Sequence, residues 1–137
     1  ILGKIKMRDV VIENSNWQRQ HYKSLTTAYN HSPFFEFYKD DLQFIFTKKY
    51  KYLIDINIDS FLFINDALEL SKKYNISKIY NENVINDFRY HAAVKYNDKT
   101  RCTPYIQMFE DKNGFLKNLS ILDLLFMEGP NSINFLE

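Results

Sequence analysis

The feature that most constrains this chain is a short apolar run near its end, Leu119-Ser120-Ile121-Leu122-Asp123-Leu124-Leu125-Phe126-Met127, followed by Glu128-Gly129-Pro130. Its apolar density demands burial, and its punctuation dictates a helix of limited length. Ser120, three residues ahead of Asp123, has the form of a capping box: the hydroxyl accepts from the backbone N–H three residues on, and the acid reaches back. A carboxylate in the first turn also faces the positive end of the helix dipole. Gly129 suits the left-handed position after a helix, and Pro130 bars continuation. Start, stop and acid are thereby explained structurally, which is the simpler reading of Asp123. The alternative makes Asp123 a catalytic carboxylate.

A chain of 137 residues suits one domain, 1–137, with enough length for one proper core. Three Gly and three Pro are too few for a loop-rich or disordered chain. Eighteen Lys+Arg against 17 Asp+Glu leave +1, so bulk charge makes no case for nucleic acid or an anionic membrane. Cys102 is the single cysteine, which removes an internal disulfide and makes a reducing cytoplasm the simplest setting. The longest apolar runs, Phe61-Leu62-Phe63-Ile64 and Leu124 to Met127, fall far short of the ~20 residues a membrane helix needs, so no membrane insertion is expected. No secretory pattern and no initiator Met stand at the start, and a processed, truncated or incompletely represented protein is expected.

Periodicity orders the elements. Lys4-Ile5-Lys6-Met7-Arg8-Asp9-Val10-Val11-Ile12 alternates and ends β-branched, as a strand does. Ser15 or Asn16 caps a helix to about Tyr29, with Trp17, His21, Leu25 and Ala28 on one face and Arg19, Lys23 and Thr26 on another. Ser32-Pro33 offers a second cap with Pro at the first helical position, and Phe34, Phe35, Tyr38, Leu42 and Ile45 continue at helical spacing. A third helix spans about 50–74, ending near Lys72-Lys73, although Ile54, Ile56 and Ile58 alternate and make a strand over 53–58 the competing reading. Short strands are expected at 76–80 and 104–109, the latter with Pro104 at its edge, before a turn at Asp111-Lys112-Asn113-Gly114. The expected fold is α+β (mixed α/β), mainly helical, with strands at 5–12, 76–80 and 104–109.

Several residues offer chemistry. His21, His31 and His91 are far apart with no paired metal-ligand spacing, and three isolated glycines make no phosphate loop, so neither metal nor cofactor is expected. His21 shares a face with Trp17, Leu25 and Ala28, which implies partial burial; it is a satisfied core histidine or a general base, with Trp17 the substrate-binding ring beside it. Arg89 is an anion-binding group or a structural ion pair. Period two puts Tyr105, Gln107 and Phe109 on one face, where Tyr105 and Gln107 form either a sugar-binding wall or a half-buried sheet face. Thr47-Lys48-Lys49-Tyr50-Lys51-Tyr52 interleaves basic and aromatic groups, but a solvated helix face explains it better than nucleic acid.

Tyr105-x-Gln107-x-Phe109, then Asn118-Leu119-Ser120-Ile121-Leu122-Asp123-Leu124-Leu125-Phe126, then Glu128-Gly129-Pro130, form one pattern. Trp17-x-x-x-His21 and Ala28-Tyr29 before Ser32-Pro33-Phe34-Phe35 form another. In these the chain resembles the WbqC-like family over about residues 5–136. The family carries a further N-terminal portion rich in aromatics and Pro/Gln, so the resemblance implies truncation at the N-terminus. It implies a part in bacterial O-antigen (lipopolysaccharide) or related surface-polysaccharide biosynthesis, with transfer of an aminoacyl (glycyl) or small acyl group to a sugar as one activity. Two non-catalytic roles compete: binding a sugar or sugar-nucleotide, and assembly with a protein partner or a second copy.

Overall fold

The structure is a computed structural model and describes residues 5–13, 15–89 and 102–136. Helix α1 is Trp17–Tyr29, α2 Phe35–Thr47 and α3 Leu53–Ala67. A single turn, α4 (Glu110–Asn113), precedes α5 (Ile121–Glu128), which runs into a 3-10 helix over Gly129–Phe135.

The helices begin and end for reasons that differ in part from the sequence expectation. Ser32 does not cap α2: its hydroxyl donates to the Tyr29 carbonyl at 2.7 Å and closes α1 instead. The turn is fixed from outside, because the Phe34 N–H donates to the Phe126 carbonyl of α5 at 2.9 Å. Gln18, near the start of α1, donates its amide to the Ile45 and Lys48 carbonyls at 3.3 and 2.7 Å, satisfying groups that the end of α2 leaves unpaired. Residues 53–58 are helical, so the strand alternative is set aside, but α3 ends at Ala67 rather than near residue 74. Buried Asn65 explains the early stop. Its carbonyl accepts from the Leu70 N–H at 2.9 Å and its side chain accepts from the Lys72 N–H at 2.7 Å, folding the chain back through left-handed Glu69 and Ser71. The basic stretch Lys48 to Lys51 joins α2 to α3 and is not a helix face.

The α+β expectation is overturned: among the described residues the fold is helical and no sheet forms. Residues 7–9 are a 3-10 turn, and Val11 then makes an isolated antiparallel bridge with Tyr52. Segments 76–80 and 104–109 contain no strand, and the latter turns at residues 108–109 into α4. Alternation describes two faces of an extended chain. A strand also needs a neighbour offering its own N–H and C=O groups over several residues, and among the described residues only the single Val11–Tyr52 bridge finds one.

The core gathers on α2 and α5. Phe35, Tyr38 and Leu42 pack with Leu68, Leu125 and Phe126, and Leu25 and Tyr29 of α1 and Ile64 and Ala67 of α3 close over them. The Phe35 and Phe126 rings meet edge to face, with centroids 5.1 Å apart. At the end of α5, Gly129 takes φ 56° and ψ −130°, a conformation for residues without Cβ. A Cβ there would lie 2.4 Å from Cδ1 of Phe34. Gly129→Ala is therefore expected to cost about 1–3 kcal/mol through overpacking, with further backbone strain, read as a lower urea midpoint at unchanged m value.

Candidate functional site

Asp123 is buried at 1% exposure and lies at the meeting point of three segments. Ser120 caps the helix, but the expected capping box does not form. The Ser120 hydroxyl accepts from the Leu122 N–H at 3.3 Å, while the Asp123 N–H goes to the Ser120 carbonyl at 2.9 Å. The acid does not reach back. Its Oδ1 accepts from the Tyr29 hydroxyl and its Oδ2 from the Tyr105 hydroxyl, each at 3.0 Å. A carboxylate removed from water needs donors, and here both come from phenols distant in sequence. Burial first, and the Asp123 carboxylate second, push both phenols well above their usual ionisation range.

The other expected site residues are distributed. Gln107 is buried, and its amide donates to the Leu116 carbonyl at 2.7 Å while its oxygen accepts from the Leu116 N–H at 2.8 Å, copying a backbone bridge. Arg89 is exposed and closes its own loop, donating to both oxygens of Asp87 and to the Asn81 and Glu82 carbonyls. Its guanidinium carbon lies 4.9 Å from the Tyr80 ring centre. Trp17 is half-buried, with its ring centre 5.4 Å from His21 and 6.5 Å from Phe46. His21 itself is exposed, so the expected partial burial is corrected: the α1 face it shares with Trp17 turns outward at its position. His91 lies outside the described residues. Among those described, no three His, Cys, Asp or Glu residues are grouped to hold a metal. Tyr105 is thus brought together with Asp123 and with the Gln107 side chain, and Trp17 with His21, while none of the six lines the α2–α3 trough.

A cavity lies elsewhere, a trough of about 670 Å³ between α2 and α3. Tyr38, Ile45 and Leu68 form its buried base, Phe63 and Leu62 its α3 wall, and Pro130 and Ile133 its end. Its α2 wall is Phe37, Asp41 and Phe44, at spacings of four and three; the two rings are 74% and 60% exposed. Asp59, Asp66 and Glu69 add carboxylates from the α3 side. Lys48 and Tyr50 reach Asp59 Oδ2 at 2.6 and 2.7 Å, and these bonds hold its carboxyl below the usual range. Tyr38 is 3% exposed, and its hydroxyl, which makes no hydrogen bond among the described residues, keeps contact with solvent. Reading α2 only for its apolar core stripe missed this wall. The signal was present, because Phe37 and Phe44 fall off the stripe of Phe35, Tyr38, Leu42 and Ile45.

The Asp123 arrangement predicts stability and its pH dependence. Tyr29→Phe and Tyr105→Phe should each cost about 1–3 kcal/mol, and Asp123→Ala more than either, since it leaves two phenols unpaired; urea unfolding checks both. A raised phenol pKa contributes stability that is complete below the unfolded value of about 10 and is lost as pH rises through the folded value. Alkaline unfolding should therefore coincide with late ionisation of Tyr29 and Tyr105, followed by tyrosinate absorbance.

No curated protein and no solved structure matches the chain. The sequence profile that does match covers residues 3–92, from the isolated bridge through α1, α2 and α3 and so across both walls of the trough. On that match the chain belongs to the WbqC-like protein family.

Proposed function

We propose that this protein binds a sugar in the cytoplasmic stages of bacterial surface-polysaccharide biosynthesis, with the sugar ring held in the α2–α3 trough. The observation that carries this reading is the pair of exposed rings, Phe37 and Phe44, on one wall of a 670 Å³ cavity with Asp41 between them. The C–H face of a pyranose packs on aromatic rings, while carboxylates accept from its hydroxyls; ligand cavities of ~300–1,000 Å³ commonly combine apolar walls with a few polar groups. Family membership supports the pathway.

Transfer of an aminoacyl or small acyl group to the sugar is the further activity this reading accommodates. His21 and Asp123, the groups proposed for its chemistry, lie outside the trough lining, and binding is therefore the function the geometry supports best. Phe37→Ala and Phe44→Ala should each weaken sugar binding about tenfold, because a ring contact is worth up to ~1.5 kcal/mol beyond its buried area. Isothermal titration with monosaccharides checks this. Equal affinity in the two variants and the parent protein would remove the trough from the reading.

A further inference from the structure

The trough's charges are unequal in sign, and this limits what it can hold. Asp59 is offset by Lys48 at 2.6 Å. Asp41, Asp66 and Glu69 also line the trough and make no ion pair among the described residues. Three uncompensated carboxylates therefore surround an aromatic wall in a chain whose overall charge is +1. Carboxylates that close repel a phosphate or a uronic acid, and they attract a cation. The exposed face of Phe37 favours the same sign of ligand, since a ring's quadrupole presents negative charge on its face, and Phe44 already has the Lys48 ammonium 5.8 Å from its ring centre.

An independent observation comes from the base of the trough. The Tyr38 side chain is almost wholly buried, lines the cavity, and leaves its hydroxyl without a hydrogen-bond partner among the described residues. Burial and the nearby Glu69 charge push its pKa up, so the group stays a neutral hydroxyl, able both to accept from an ammonium and to donate to a ring or hydroxyl oxygen. No buried side-chain polar atom among the described residues lacks a partner, so this hydroxyl keeps contact with solvent and stays open to a ligand in the trough.

We infer that the ligand of the α2–α3 trough is a sugar bearing a free, protonated amino group, held over Phe37 and Phe44 with its ammonium among Asp41, Asp66 and Glu69 and a polar atom on the Tyr38 hydroxyl. This rests on the sugar-binding reading and specifies the chemical class. Neutral and N-acetylated sugars lose the charge interaction, and sugar phosphates meet repulsion.

The test is isothermal titration of the protein at low salt with glucosamine, N-acetylglucosamine, glucose and glucosamine phosphate. Glucosamine should bind at least tenfold more tightly than the other three, and the preference should shrink as salt rises. Asp66→Asn and Glu69→Gln, exposed positions whose folding circular dichroism verifies, should bring glucosamine to the level of glucose. Tyr38→Phe should weaken every sugar that binds. Comparable binding of glucose and glucosamine would overturn the amino-sugar inference and leave the sugar-binding reading standing. A glucosamine preference that survives both neutralising substitutions would overturn the inference as well, by removing its ammonium from these carboxylates. No binding of any of the four would overturn both.

Discussion

A carboxylate with 1% exposure dictates much of what surrounds it. Asp123 sits in a helix whose other residues from Leu124 to Phe126 are buried as hydrocarbon, and the cost of dehydrating its two oxygens is met by two phenol hydroxyls. One comes from the last residue of α1 and the other from the segment that leads to α4. The acid thus joins parts of the chain 94 and 18 residues away in sequence. Gln107 repeats the device nearby, where a side-chain amide pairs with the backbone of Leu116 as a neighbouring strand would. In this fold, side chains carry long-range connections that a sheet would otherwise supply.

Helix α2 is the element on which both packing and ligand geometry depend. One stripe, Phe35, Tyr38, Leu42 and Ile45, is buried against α5 and its neighbours. Phe37, Asp41 and Phe44 lie on another side and form the wall of the trough. Tyr38 belongs to both, since its ring is core and its hydroxyl has no partner among the described residues. A helix fixed on its inner face by packing presents rigid rings on its outer one, which lowers the entropy lost when a ligand is ordered against them.

The early end of α3 matters for the same reason. Asn65 draws the following backbone onto itself, so Leu68 turns into the core while Glu69 is left at the rim. Had the helix continued to residue 74, the acidic rim would have been distributed around a helix surface. The trough therefore depends on a competition between one asparagine side chain and ordinary helix propagation.

Helical periodicity, the Ser120 cap and the Gly129-Pro130 stop were legible in the residues, because each depends on contacts within a few positions. The family was legible too, and the matched residues 3–92 hold Trp17, His21 and Ser32-Pro33-Phe34-Phe35; Tyr105, Gln107 and Asp123 lie outside that match, where Asp123 and Tyr105 bond each other and Gln107 bonds the backbone. Strands were not legible, since alternation at 5–12, 76–80 and 104–109 specifies faces but cannot supply a partner. Nor was the destination of the Asp123 oxygens, because local spacing favoured a backbone donor three residues away while two distant phenols were better placed. Local sequence by itself determined where helices start, stop and turn apolar. Tertiary structure alone decided which donors reach a buried acid and which carboxylates stay unpaired beside aromatic rings, because those outcomes depend on distances between segments that periodicity does not encode.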